Sequence, residues 1–565
     1  MNTGRLVPKK AWAACVCLLL AAAPACALDL AVPYVQADFL WTQGYSGTGL
    51  EIGVVDLFGA DGTHPALTGN HCGNVNFVKS SAWISEHATA VAGCAASQDA
   101  TYKGVAYGAG WWSGQTTNRG TITSLETQTA AVETFARGLG SLDGNPVEVI
   151  TLSIGMSGSS NATDHWSLGL DHIVHADGRT ITVAAGNDGP ALGTLTGLPP
   201  GAYNVITVGA TGDTGGDDSE DYSNVATYSS RGPTTDGRCK PDILAPGSLV
   251  HMPALGGGWA DGSGTSFATP IVAGGAALLI DMGQHLGHST DPKVVKSVLL
   301  NSADKLAGWT HTPTQPLDYQ QGAGQMNLRT AHRQYLFDPR GPEAVPGIGW
   351  DLRQLSYNDR SLYTLDVDLS AGVVIAATLT WDRIVTATDE PDPKDISYDF
   401  DHLDDLNLYL YSADDLETPM ASSVSTIDNV EHVYYSVAAA GRYVLGVEMA
   451  GAAPGDAETY ALAWRAFPAA GLDLPGDANL DGVVDGLDYN VWSLHYEQQE
   501  LVWTQGDWDG DGVADGLDYN LWSINYNPGG GQGAAVPEPV VLLPLTFGAA
   551  ALLRRRNRVR LVSFA

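Results

Sequence analysis

Positive charge is scarce in this chain. Its 565 residues hold 28 Lys and Arg against 63 Asp and Glu, a net charge of −35. Such an imbalance argues against a nucleic-acid partner and against a basic membrane-surface role. Charge of either sign is low, at 16% of residues. Cysteine is nearly absent from the body of the chain: of six, Cys15, Cys17 and Cys26 fall within the first 27 residues, leaving Cys72, Cys94 and Cys239. Three thiols form at most one intramolecular disulfide, which excludes a disulfide-built scaffold. Cys94 follows an apolar helical stretch and reads as a small buried residue. The length is too great for one ordinary core, so several domains are expected.

Residues 1–27 read as a secretory signal peptide. Arg5, Lys9 and Lys10 precede an apolar run from Ala11 to Ala23, and Ala25-Cys26-Ala27 fits a small-x-small cleavage site. Lipid attachment at Cys26 is the rival reading, although Ala23-Pro24-Ala25 lacks the leucine of a lipobox.

Between residues 28 and 335 short apolar runs alternate with helical stretches. Leu50 to Val55, Val147 to Leu152, Thr180 to Ala184 and Val205 to Val208 read as buried strands. Helices are expected near 86–97, 126–139, 166–175 and from Ser266 to Met282. This alternation predicts an α/β fold, a mostly parallel sheet with helices on both faces. Asp56 closes the first strand, at the sheet end where sites form. His87 opens a helix of small residues, Asn187 follows the third strand, and Ser266 stands at a helix N-terminus, where unpaired N–H groups can hold an oxyanion. A serine hydroxyl needs a base, and an imidazole base needs a carboxylate to hold its tautomer. Acid, then base, then serine is the subtilisin order.

The segments around these residues carry a resemblance. Gly264-Thr265-Ser266-Phe267-Ala268-Thr269-Pro270 is similar to the nucleophile motif of the subtilase family of serine endopeptidases, and Ala185-Gly186-Asn187-Asp188-Gly189 to its oxyanion segment. Ile150-Thr151-Leu152-Ser153-Ile154-Gly155 resembles the strand that pairs with substrate. The resemblance covers roughly 300 residues. It implies a subtilisin-like fold and peptide-bond hydrolysis, with Ser266 as nucleophile, His87 as base and acid, Asp56 as its orienting carboxylate and Asn187 as oxyanion donor. Substrate would add an extended strand along Ser153, Ile154 and Gly155. Two places depart from the family. Leu57-Phe58 follow Asp56 where the family has Thr or Ser and then Gly, with Asp61 as a possible substitute acid; Ala88 and Ala90 stand where it has Gly and a second His. An alternative reading is therefore a catalytically impaired subtilase-fold surface protein.

Residues 340–468 change character. Strands alternate near Tyr363–Leu369, Val373–Trp381, Leu406–Tyr411, Val433–Val437, Tyr443–Val447 and Tyr460–Trp464, which predicts an antiparallel β-sandwich resembling jelly-roll or pre-peptidase C-terminal modules. Residues 475–528 contain a repeat thirty residues apart. Asp477, Asn479, Asp481, Val483, Asp485 and Asp488 recur as Asp507, Asp509, Asp511, Val513, Asp515 and Asp518, with Gly482 and Gly512 at the sixth position. Oxygen ligands at that spacing predict Ca2+ loops, each followed by an apolar helix. The pair resembles an EF-hand-like dockerin module, which implies a cohesin partner, although Gly486-Leu487 and Gly516-Leu517 replace the usual hydroxyl pair. No metal is expected in the chemistry itself. Residues 529–535 read as a Gly-rich linker. Residues 536–560 resemble a PEP-CTERM sorting signal: Pro537-Glu538-Pro539, a short apolar run broken by Pro544, and Arg554-Arg555-Arg556. That resemblance implies an exosortase and a place in the cell envelope or outside it, with transient or stable C-terminal anchoring; a plain anchor is the rival.

Overall fold

The computed structural model describes residues 28–78, 83–117, 120–122, 124–142, 144–212, 221–388, 390–450, 457–468, 475–478, 484–498, 505–508 and 513–526. The expected signal peptide, linker and sorting signal lie outside these residues. Seven strands form one parallel sheet: β1 (Glu51–Asp56), β2 (His71–Asn76), β3 (Gly110–Gln115), β4 (Val149–Leu152), β5 (Thr180–Ala184), β6 (Ile206–Thr211) and β7 (Ile243–Pro246). Their order is β2-β3-β1-β4-β5-β6-β7, with every neighbouring pair parallel. The central strands β1, β4 and β5 are apolar runs because both of their faces are covered.

Helices cover both faces. On one side lie α1 (Glu86–Ala96) and α4 (Thr265–Leu286), and on the other α2 (Leu125–Arg137) and α3 (His165–Asp177), each side enclosing its own apolar core. Helix α4 runs through the interior: every residue from Ala268 to Gly283 is buried. It is long and apolar enough to cross a bilayer, but 94% of its most apolar window is covered by protein. Small residues allow the close approach; a Cβ on Gly274 would stand 2.6 Å from Val105. Near its C-terminal end, Asp281 is buried and its Oδ2 accepts the N–H groups of Ser46 (2.9 Å) and Gly47 (2.8 Å), in the loop that leads into β1. Cys72, Cys94 and Cys239 are free thiols, and Cys94 is buried on α1 as expected.

The edge strand β2 and its neighbour β3 escape a reading by pattern. β2 is His-Cys-Gly-Asn-Val-Asn, alternately half-buried and exposed, and β3 contains two glycines, so neither forms an apolar run. Helix α5 (Pro292–Ser302) also went unread; it is buried throughout because a second body covers it.

That body is β-rich. A five-stranded sheet (Ala344–Val345, Arg360–Leu365, Tyr443–Ala450, Asp405–Ser412, Ala421–Ser423) faces a four-stranded one (Ile348–Ser356, Ala457–Pro468, Val373–Trp381, Val430–Ser436) across a core containing Trp381, Trp464 and Tyr363. The four-stranded sheet turns its outer face to α5, where Trp350, Val430, Ala461 and Ala463 join the core of the parallel-sheet region. Buried polar groups cross the same boundary. Lys293 Nζ bonds Asp382 Oδ2 (2.8 Å), Arg465 Nε donates to Asn301 O (2.9 Å), and Tyr398 OH donates to Glu133 Oε1 (2.7 Å). Farther along, Gly486–His495 and Gly516–Asn525 are two helices sharing a small core around Trp492, Trp508 and Trp522.

The buried Lys293–Asp382 pair gives a direct test of how firmly the two bodies are joined. Breaking the pair leaves the buried Lys293 ammonium only the more exposed Asp291 carboxylate (3.1 Å) as a counter-charge. Asp382→Ala is expected to destabilise the chain by about 3 kcal/mol, read as a lower urea midpoint at pH 7.

Candidate active site

The expected site residues come to the C-terminal end of the parallel sheet from five elements. Asp56 ends β1, His87 stands at the start of α1, Ser153 follows β4, Asn187 follows β5, and Ser266 lies in the first turn of α4. The buried Asp56 carboxylate is held on both sides: Oδ1 accepts the Leu57 N–H at 2.6 Å, and Oδ2 lies 2.7 Å from His87 Nδ1. The main chain at Leu57 thus orients the carboxylate without a hydroxyl, and the Leu57 side chain packs against the α2–α3 core. Asp61, the possible substitute, accepts the N–H (3.0 Å) and hydroxyl (2.6 Å) of Thr63 in an exposed turn. His87 stands in the first turn of α1, whose N-cap Ser85 accepts the Ala88 N–H. The Ala88 methyl is fully buried there, so the departure at this position is accommodated. Burial pushes the His87 imidazole down, but the hydrogen bond and charge of Asp56 outweigh it, and its pKa stands above the ordinary histidine value.

Ser266 owes its setting to a proline. Pro270 has no N–H for the Ser266 carbonyl four residues earlier. Ser153 fills the gap: its Oγ donates to Ser266 O at 2.7 Å and ties the end of β4 to the start of α4. Ser266 Oγ lies 3.4 Å from Ser153 O, and the ring of Phe267 is 5.7 Å from the His87 ring. Thr265 orients Asn187. Its N–H (2.9 Å) and Oγ1 (3.1 Å) both donate to Asn187 Oδ1, which leaves the Asn187 amide nitrogen as a donor. The roles of Ser153 Oγ and Thr265 were missed in the sequence; Pro270, four residues after Ser266, was the available signal for the first.

A cavity of about 300 Å3 opens beside Ser266. Ser153, Ile154 and Gly155 line one wall, Ala185 to Asp188 another, and Thr194, Thr196, Gly197 and Leu198 contribute to the rest. Gly155 is needed there, since a Cβ would come within 3.0 Å of Leu198 O. The bond-forming groups of Ser153 to Gly155 are thus at the surface of a cleft, next to the short antiparallel pair Met156–Ser157 and Gly197–Leu198.

The repeat near the C-terminus is a second candidate site. Asp477, Asp488, Asp507 and Asp518 are buried, and Val513, Asp485 and Asp515 are also described; Asn479, Asp481, Val483, Asp509 and Asp511 lie outside the described residues. Asp485 and Asp515 cap the two helices by accepting the N–H of Leu487 (2.7 Å) and Leu517 (2.6 Å). Two buried carboxylates at the ends of each loop are a donor set that suits a hard divalent cation.

Residues 47–324 match the subtilase family. Several of the curated relatives are proteases by name. Pyrolysin of Pyrococcus furiosus is 34% identical over 203 residues, 32% of this chain and 14% of pyrolysin. The membrane-bound transcription factor site-1 protease of Homo sapiens is 32% identical over 323 residues, 53% of this chain and 26% of that protein. Serine protease AprX of Bacillus subtilis is 38% identical over 180 residues, 28% of this chain and 38% of AprX. The chain therefore spans well under two thirds of the length of each of these relatives. The matched residues include Asp56, His87, Ser153, Asn187 and Ser266, together with the sheet that carries them.

The Asp56–His87 contact sets the sign of a titration experiment. Without the carboxylate, only burial acts on the imidazole, and burial favours the neutral form. In a histidine NMR titration, His87 is expected to have its midpoint above about 6.5 in the parent chain and below it in Asp56→Asn.

Proposed function

We propose that this chain is an exported serine-type endopeptidase that cleaves proteins or peptides through an acyl-enzyme. The observation that carries the reading is the 2.7 Å Asp56–His87 pair on the same cleft edge as Ser266. His87 takes the proton of Ser266 Oγ as the oxygen attacks the scissile carbonyl carbon. The oxyanion that forms is held by the Asn187 amide and by N–H groups at the start of α4. The imidazolium is stabilised by Asp56, in keeping with the raised His87 pKa, and it returns the proton to the leaving amine. A water then repeats the sequence on the Ser266 ester. Substrate lies extended along Ser153 to Gly155, and its side chain before the cut enters the cavity beside Ser266. The non-catalytic alternative would be favoured by a His87 left unoriented, and the Leu57 N–H and Asp56 contacts support the catalytic reading instead.

The finer assignments rest on the acidic repeat and the tail. The paired loops are proposed to hold Ca2+ as a dockerin-like module, which supplies no step of the chemistry. Leu487 and Leu494 on one helix and Leu517 and Ile524 on the other are exposed, a duplicated apolar face suited to a protein partner of cohesin type. The signal peptide and residues 536–560 are proposed to direct export and exosortase processing.

Casein hydrolysis by the purified chain tests the catalytic reading. Ser266→Ala is expected to remove turnover and labelling by a serine-reactive phosphonate. Asn187→Leu is expected to lower kcat by ~10²–10³ with little change in KM, the loss known for such a donor in subtilisin. Hydrolysis that persists in Ser266→Ala would refute the assignment. Chelation is expected to lower the protection of the amides in 486–495 and 516–525 in hydrogen exchange while leaving α4 protected, and added Ca2+ to restore it.

A further inference from the structure

Away from the cleft, three metal-ligating side chains converge at the rim of the β-rich body. His402 ends the strand Tyr398–His402, Asp404 follows in the next turn, and Glu458 stands near the start of the strand Ala457–Pro468. One donor atom from each lies within 4.8 Å of the other two. They come from segments 54 residues or more apart in the chain for Glu458 against the other two, so the fold brings them together.

The burial of Glu458 needs an explanation. It is 5% exposed, and its recorded hydrogen bond is the N–H of its own neighbour, Thr459, to Oε1 at 2.9 Å. No side chain among the described residues donates to it. The cation whose charge reaches it, Lys293, is bound to Asp382 (2.8 Å) and Asp291 (3.1 Å). A buried carboxylate in this position gains most from a metal ion. The neighbouring groups have matching support: Trp381 Nε1 donates to Asp404 O (2.8 Å) and fixes that turn, and His402 Nδ1 lies 3.2 Å from Asp401 Oδ2, leaving the second ring nitrogen to ligate.

We propose that His402, Asp404 and Glu458 form a binding site for a zinc-type divalent transition-metal ion. One imidazole with two carboxylates suits Zn2+ better than Ca2+, which takes oxygen ligands alone. The ion would join the hairpin strand to the last strand of the β-rich body. The same hairpin meets the subtilase region, where Val385 O pairs with His172 Nδ1 (2.8 Å) and Tyr398 OH donates to Glu133. The ion therefore holds the element that rests on α2 and α3, far from Ser266 in the chain, and its effect is on stability.

The test uses the full chain, stripped with EDTA and returned to excess Ca2+ so that the oxygen-only loops are filled. Zn2+ is then titrated by calorimetry. The parent chain is expected to take up one more equivalent of Zn2+ than His402→Ala, and Zn2+ is expected to raise the thermal midpoint of the parent but not of that variant. Glu458→Gln should match His402→Ala. His402 is exposed, so its replacement leaves the fold in place and decides the question alone. Equal zinc stoichiometry and affinity in the parent and His402→Ala, or no zinc uptake by the parent, overturns the proposal.

Discussion

The site depends on how the start of one buried helix is finished. A helix N-terminus offers unpaired N–H groups, and Pro270 adds an unpaired carbonyl at Ser266. Burying that carbonyl without a partner would cost roughly 1–3 kcal/mol. The Ser153 hydroxyl satisfies it and in doing so brings the end of β4 against Ser266. The strand that forms the cleft wall and the helix that carries Ser266 are therefore positioned by one hydrogen bond, and Thr265 performs the same service for Asn187. The chemistry is built from side chains, but their placement is a matter of satisfying the main chain.

Much of this was legible in the sequence. Asp56, His87, Asn187 and Ser266 each lie at or just beyond the end of an element whose apolar pattern is strong, so their positions in the fold could be read. Thr180–Ala184 and Val373–Trp381 coincide with the observed strands because both are continuous apolar runs. What escaped was carried by the backbone or by edge positions. Leu57 looked like a loss because the expected hydroxyl is missing; its N–H does the work, and an N–H has no signature in sequence. β2 lies at the sheet edge, where half-exposed polar residues replace an apolar run, and its neighbour β3 is interrupted by two glycines and a serine. The polar residues of α5, Lys293 and Asn301 among them, hide its burial in the sequence, because their partners Asp382 and Thr378 come from a distant part of the chain.

The acidic composition has two different structural fates. Exposed carboxylates need no compensation, and they account for the charge of the chain. Several buried ones are placed against a specific partner: Asp56 against His87, Asp281 against two N–H groups, Asp382 against Lys293. In a chain with so few cations, each buried acid draws on a limited supply of partners. Backbone N–H groups and histidines consequently carry a share that lysine and arginine usually carry.

The contact between Asp281 and the Ser46–Gly47 loop has a mechanical meaning. From Ser266, α4 runs to Asp281; Asp281 grips the loop; the loop enters β1; β1 ends at Asp56; and Asp56 holds His87 beside the starting point. Ser266 and Asp56 are thus tied to each other by one continuous path of helix, buried carboxylate, loop and strand. Such a path works like a strut: a shift at one end is carried to the other, so the spacing of the two residues is set by the interior of the domain and not by the loops at its surface.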